Sequence, residues 1–488
     1  MPGPNSNDSI KRLLPWLVAV ALFMESLDTT ILNTAVPTIA AALGVGPLSM
    51  KAALTSYTLS LAVFIPISGW VADRFGTRRV FSSAIATFTV GSLLCGLSTS
   101  VPILVAARIL QGCGGAMMMP VGRITIVRTF PKSDIIRAMS FVAIPGLIGP
   151  LVGPLAGGLI VHYLHWRMIF FVNLPIGVLG LYLAYRHMPD YRSDDPGPLD
   201  FLGMVLFGIG VAVLSYVLEV FGEHTLGMQS MLVLFAISAV SLGLYGRHAL
   251  RVARPLLMLS LFKKRTFRAS IVGSFATRLG IGGMPFLLPL MYQIGLGYSP
   301  VQSGLLIMPQ PLAALSLKLL MAKLLNRFGY RRILVSNTLM IGLIIVLFAT
   351  IDTHTPMWLI VIQAFIFGFV SSLQYTSMNT LVFADLNEKE TSNGSTISST
   401  VQQMSMSFGV AVASLITAVF LSGERKPSSP EMVSAIRHTF VALGIITMAS
   451  TFVFRQLKPG DGANVSQQKG VETPSGSDSV PHVPEPAR

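Results

Sequence analysis

Two carboxylates three residues apart, Glu25 and Asp28, sit inside an apolar run covering residues 13–34. At that spacing they share one face of a helix, with Glu25 about one turn deeper. Ionisable side chains are costly in such a setting and mark functional positions by default. The others of this kind are few: Arg108, Arg278 and Lys318. Counted along a helix from the external ends, Asp28 lies about 9 Å in and Arg108 about 10 Å in, a common level at which the two could pair. A buried Arg–Asp contact that opens when the acid is protonated would couple proton movement to a change of conformation. A permanent pair that only orients helices is the other reading, and Glu25 competes with Asp28 for the coupling role. Arg278 either binds an anion or substrate, or pairs with backbone in the Gly280–Gly283 region. Lys318 is close enough to a helix end to snorkel out, and Glu219 belongs to a hydrated helix end.

The elements that must position these charges follow from composition. Of 488 residues, 52% are hydrophobic and only 11% are charged, with mean hydropathy +0.67. Soluble domains carry about 25% charge, so a soluble enzyme is excluded. Fourteen apolar runs are each long enough to cross a hydrocarbon core of roughly 30 Å as a helix. They cover 13–34, 50–72, 80–98, 101–121, 138–161, 167–187, 199–220, 229–249, 269–290, 303–325, 333–351, 357–378, 394–421 and 433–455. The fold class is therefore an all-α integral membrane protein. The first run follows Lys11–Arg12 without a small-residue cleavage site and reads as a retained anchor.

The net charge of +14 lies mostly on alternate loops: Arg74, Arg78 and Arg79; Arg123, Arg128, Lys132 and Arg137; Arg186 and Arg192; the cluster Arg247–Arg268; and Lys323, Arg327, Arg331 and Arg332. The opposite loops carry almost none until Arg425 and Lys426. By the positive-inside rule both termini lie in the cytoplasm, and the basic balance records topology and no nucleic-acid partner. Cys95 and Cys113 fall within runs and indicate no disulfide framework. The stretch from Lys458 to Arg488 is rich in Gly, Ser, Pro and charge and reads as a disordered tail. No phosphate loop and no metal-ligand cluster stands in the sequence, so neither ATP, cofactor nor metal is expected. His162 and His165, beside Trp166, suit an interfacial helix end.

One short segment repeats. DRFGTRR at 73–79 returns as NRFGYRR at 326–332, an offset of 253 residues, with Asn326 where Asp73 stood. The chain reads as two six-helix halves (13–188 and 269–455) with an extra pair of helices (199–249) between them, preceded by residues 1–12 and followed by a tail from 456. Parallel repeats with a site between them near mid-membrane are a design of secondary carriers. GWVADRFGTRRV (69–80) resembles the signature of the major facilitator superfamily. LDTTILNTAVP (27–37), RILQGCGG (108–115) and GLIGPLVGPLAGG (146–158) are similar to further motifs of its fourteen-helix drug:proton antiporter branch. The resemblance implies a proton-coupled exporter of small organic molecules, working as a monomer in a bacterial inner membrane. An importer or uniporter, or a non-transporting receptor or scaffold, is the competing expectation.

The resemblance also implies roles. Gly69 and Gly76 allow close approach and a tight turn. Arg74, Arg78 and Arg79 hold the hairpin near anionic headgroups. Asp73 acts in a latch that locks the halves together on the cytoplasmic side in the outward-open state, its partner being either Arg123 or the N-terminus of span thirteen near Thr391–Ser392–Asn393, where free N–H groups attract an anion; topology charge alone is the competing reading of the motif. In span five, Gly149, Gly153 and Gly157 form one strip for close helix contact, with Gly146 and Gly158 in the same antiporter motif. Pro145, Pro150 and Pro154 interrupt its hydrogen-bond ladder, which suits a helix rocking against span eight or its neighbours. By residue type alone, Tyr57, Gln111, Met117, Arg278 and Phe365 are candidates for a compliant substrate cavity, with Phe64 and the rest of the 117–119 Met run beside them; Met and aromatics on a membrane helix more often face lipid or neighbouring helices.

Overall fold

A computed structural model describes residues 4–221, 227–318, 320–421 and 429–466. The side chain of Glu219, the cations Arg425 and Lys426, and residues 467–488 of the expected tail lie outside the described ones. Thirteen helical stretches among the described residues are long and apolar enough to cross a membrane. The remaining expected run, 303–325, is divided into shorter helices.

The first half contains α1 (Pro4–Ala42), α2 (Lys51–Phe64), α3 (Ser68–Phe75), α4 (Thr77–Leu97), α5 (Val101–Thr129), α6 (Lys132–Tyr163), α7 (Met168–Phe171) and α8 (Asn173–His187). The extra pair is α9 (Phe201–Phe221) and α10 (Met228–Ala249). The second half contains α11 (Arg265–Ile281), α12 (Met284–Leu290), α13 (Pro300–Ile307), α14 (Pro309–Leu317), α15 (Met321–Phe348), α16 (Met357–Leu381), α17 (Glu388–Phe420), α18 (Ser429–Ala449) and α19 (Thr451–Phe454), and α20 (Ala463–Ser466) follows. The long helices are built mainly of apolar residues, as crossing a hydrocarbon core requires.

The repeat is visible in backbone geometry. Gly76 separates α3 from α4 at φ 93°, and Gly329 breaks α15 at φ 72°. These left-handed values favour glycine because it lacks a Cβ. Pro47 opens the helical turn after α1, and Pro300 opens α13 after the α11–α12 segment, at the same 253-residue offset.

Packing divides the molecule by depth. Toward the loops that bear the arginines, the halves keep separate apolar cores. Leu14, Phe81, Val121 and Met188 belong to the first, and Leu325, Tyr330, Leu381 and Phe454 to the second. Toward the other face the cores fuse, with Ile31, Val36, Met50 and Trp166 in one cluster with Met284, Leu287, Phe348 and Phe440. The halves meet most extensively along two seams, α2 with α17 and α6 with α13, and α1 also touches α12. The α9–α10 pair covers the first: Phe207 and Tyr245 pack with Phe267, Ile397 and Phe408, and Leu59 of α2 joins them.

Two expectations change here. Span five is α6, which stays helical through Pro145, Pro150 and Pro154 and packs on α1 and α13, whereas span eight is α10 and packs on α9. The tail begins later than Lys458, because Arg265 holds Asp461 at 2.6 Å and Gly462 lies against Tyr330.

Candidate functional site

Asp28 on α1 and Arg108 on α5 meet at 2.5 Å, each 1% exposed. The pair is embedded in a network. Gln111 Nε2 donates to Asp28 Oδ1 at 2.8 Å, and Asn173 Nδ2, from α8, donates to the same oxygen at 2.9 Å. Arg108 donates to Gln111 Oε1 at 2.7 Å and to the Ala53 carbonyl at 3.2 Å. Asn173 also donates to Ser92, which donates to the Phe170 carbonyl. The Tyr57 ring lies under the guanidinium, 4.2 Å from its centroid. Burial of two charges is tolerable only when their remaining donors and acceptors are met, and four helices of one half supply them here.

Glu25, one turn away, differs. Its Oε2 is buried and has no hydrogen-bond partner among the described residues. Arg278, on α11, is 2% exposed, and its guanidinium stacks over the Tyr375 ring at 4.5 Å. The contact that Arg278 makes is therefore aromatic and not the Gly280–Gly283 backbone. Lys318 is exposed, as its position near a helix end suggested.

Sequence reasoning placed the expected cavity residues unevenly. Tyr57 and Gln111 belong to the buried network. Met117 packs on the first half's core. Phe365 does not join them: it is 41% exposed and lies with Met340 and Phe369 in an apolar groove between α15 and α16, wholly within the second half. Asn173 and Ser92 were missed because only ionisable residues were sought, although a polar Asn in an apolar run gives the same kind of signal more faintly.

The loop motif needs a larger correction. Asp73 pairs with Arg128, at 2.7 Å and about one third exposed, inside the first half. Arg123 instead donates to Ser395 Oγ of α17 at 3.0 Å, across the halves. The N-terminus of α17 is closed to Asp73 by its own capping box, in which Asn387 accepts from the Glu390 N–H and Glu390 from the Asn387 N–H, while Lys264 pairs with Glu390. Gly76 is tightly enclosed, since a Cβ there would lie 2.3 Å from Asp190, whereas Gly69 has nothing within 4 Å and mediates no close approach. Arg74, Arg78 and Arg79 are exposed.

The span-five glycines do what close packing requires. A Cβ at Gly149 would lie 2.3 Å from Ser26 Oγ, at Gly153 2.0 Å from Thr30 Oγ1, and at Gly157 2.5 Å from the Ile31 carbonyl. Gly146 faces Leu22, with a Cβ falling 2.7 Å from its side chain. Gly158 and Pro154 extend this strip to the other half: a Cβ at Gly158 would lie 2.4 Å from Pro300 O, and one at Gly304 would lie 2.4 Å from Pro154 O. Pro150 stands between these positions, inside the unbroken helix.

The chain matches the model of the Major Facilitator Superfamily over residues 18–410 and 271–482. It is 40% identical over 453 residues to proteins that carry the multidrug resistance name MdtD, from Escherichia fergusonii and from Shigella flexneri serotype 5b, covering 92% of this chain and 96% of each relative. Among solved structures it is similar in fold to a bacterial homologue of the human lysosomal transporter Spinster in an inward-facing, unoccupied conformation (TM-score 0.64, 15% identity, 92% of this chain and 97% of that one). It is likewise similar to a POT family transporter (TM-score 0.67, 16% identity, 90% and 94%). Duplicated halves, an all-helical membrane architecture and these matches agree: the chain is a multi-pass membrane transporter, not an enzyme, and belongs to the Major Facilitator Superfamily.

Proposed function

We propose that the protein exports small organic molecules from the cytoplasm in exchange for protons, by alternating access, as a monomer in a bacterial inner membrane with both termini in the cytoplasm. The observation that carries the proton coupling is the contrast between two acids one turn apart. Asp28 accepts from Arg108, Gln111 and Asn173, whereas Glu25 Oε2 is buried without a partner. Three donors already occupy the Asp28 carboxylate, whereas the Glu25 oxygen is open to an incoming proton. Glu25 is thus the carrier, and Asp28 with Arg108 is the fixed frame that holds α1 against α5. The arginine-bearing loops support the orientation, and the MdtD names of relatives support drug-like cargo and the outward direction.

The fused core at one face and the separated cores at the other support an inward-facing state. Arg123 and Ser395 then form the first polar contact across the cytoplasmic seam, and Asp73 acts through Arg128 to orient α5.

The test is uptake of ethidium and norfloxacin into everted vesicles or proteoliposomes under an imposed pH gradient. Gradient-driven accumulation is expected in wild type and absent in Glu25→Gln, while Asp28→Glu keeps part of it. Accumulation undiminished in Glu25→Gln and lost only in Asp28→Asn, at equal folded abundance, moves the proton to Asp28. Absence of gradient-driven movement of either compound in wild type overturns the exporter reading.

A further inference from the structure

The 253-residue offset that relates the loop motifs also carries Glu25 onto Arg278. The register recurs beyond the C-terminal end of the first helix of each half: Pro47 matches Pro300, and Gly76 matches Gly329 in sequence and in positive φ. Parallel repeats related by an axis along the membrane normal place such positions at equal depth on opposite sides of that axis. These first helices run beside it, since α1 touches α12 and Gln293 Nε2 donates to the Thr34 carbonyl at 2.9 Å, further toward the fused face. An acid and a base therefore occupy corresponding positions of the sequence repeat, each on the first helix of its half.

Each group lacks a partner at one point: Glu25, itself only half-buried, at one carboxylate oxygen, and Arg278 for want of an acid among the described residues. Glu25 Oε2 has no partner among the described residues, and no described acid pairs with Arg278, whose guanidinium is braced only by the Tyr375 ring. Arg108 shows what the same fold does with a buried cation that serves structure: it gives it a carboxylate, an amide and a carbonyl. A buried charge kept without such partners is costly unless a visiting group completes it.

We propose that Glu25 and Arg278 are the two poles of one substrate site and that the substrate class is dipolar: a small organic molecule with a cationic centre at one end and an anionic group, such as a carboxylate, at the other. The anionic end sits on the Arg278 fork, which Tyr375 holds in orientation. The cationic end takes the place of the proton on Glu25. Such a molecule bridges the halves, so its binding favours their approach. A singly charged analogue leaves one pole unmet and loses one charge-assisted contact.

The inference deepens the exporter reading and rests on it for the transport cycle, but binding tests it alone. Purified full-length protein in detergent is titrated by thermal shift with two matched triads. One is norfloxacin, its ethyl ester (cation only) and its N-acetyl derivative (anion only). The other is tryptophan, tryptamine and indole-3-propionate. In at least one triad the zwitterion is expected to bind about tenfold more tightly than both analogues, the worth of one charge-assisted contact. Glu25→Gln should bring the zwitterion level with the anion, and Arg278→Gln level with the cation. Arg278→Lys keeps part of the preference and serves where Arg278→Gln folds poorly. Equal or absent binding across both triads in wild type, or a preference untouched by either substitution in folded protein, overturns the proposal. A charge preference without flux in proteoliposomes leaves the site standing and removes the exporter reading.

Discussion

The two halves share a backbone plan and treat buried polarity differently. In the first, the interior is ionic: Asp28 and Arg108 are locked by Gln111, Asn173 and Ser92. In the second, the interior network is neutral, with Asn337 donating to the Val370 carbonyl at 2.7 Å and to Gln374 at 3.0 Å, and Gln374 donating to Thr338 at 2.8 Å. The second half's one central cation, Arg278, stands outside that network on an aromatic ring. Duplication thus preserved turns and helix register while polarity was free to diverge. A buried charge inside a satisfied network is a structural commitment, and one left outside it is available for use.

The sharpest way to break this contrast is to truncate both arginines. Arg108→Ala leaves Asp28 buried without its cation and should cost about 3–5 kcal/mol, seen as a loss of folded, monodisperse protein in detergent. Arg278→Ala orphans no acid and removes a buried cation that has none, so it should lose clearly less folded protein than Arg108→Ala. Equal losses would show that the two cations are held alike.

A second comparison sets the seam against the loop. At Gly158 an added methyl meets the Pro300 backbone, which cannot move aside as a hydroxyl can, so Gly158→Ala should destabilise by about 1–3 kcal/mol and slow cycling. Gly69→Ala, with open space around it, should stay within about 0.5 kcal/mol. Melting temperatures of the two variants decide this, and equal shifts would remove the seam's claim to tighter packing.

A small change in stability is also expected at the loop ion pair. Asp73→Asn breaks a half-exposed pair worth about 0–1 kcal/mol, so the melting temperature should barely shift while turnover falls, if orienting Arg128 and α5 matters to the cycle. Unchanged turnover at equal membrane abundance would reduce the first half's copy of the motif to the role of the second, where Asn326 already stands.

Much of this was legible in the sequence, for physical reasons. Hydrocarbon thickness fixes run length, so the helices could be counted. The cost of intramembrane charge singled out Asp28 and Arg108, and helix rise gave them a common depth. Glycines at intervals of four marked the α6 strip. What failed depended on rotation about helix axes. Arg123 and Arg128 stand five residues apart on α5 and point to different sides, which loop composition does not reveal. Phe365 lies in an apolar run that is greasy on every face, so no polar stripe tells lipid from interior. The capping box of α17 could have been read from Asn387 and Glu390, and would have withdrawn that helix end as Asp73's partner.

The fused core at one end and the divided cores at the other make the molecule a pair of tongs with its pivot set far off centre. Rotation about such a pivot is magnified along the arms: over a span of about 30 Å, a turn of roughly 10° carries the tips roughly 5 Å. Arg123 and Ser395 ride near those tips, whereas Glu25 and Arg278 lie part-way along the arms and travel less. If Glu25 and Arg278 are the two poles proposed above, the divided end opens widely while they stay nearly in register, and the grip need not be released until the pivot itself changes ends.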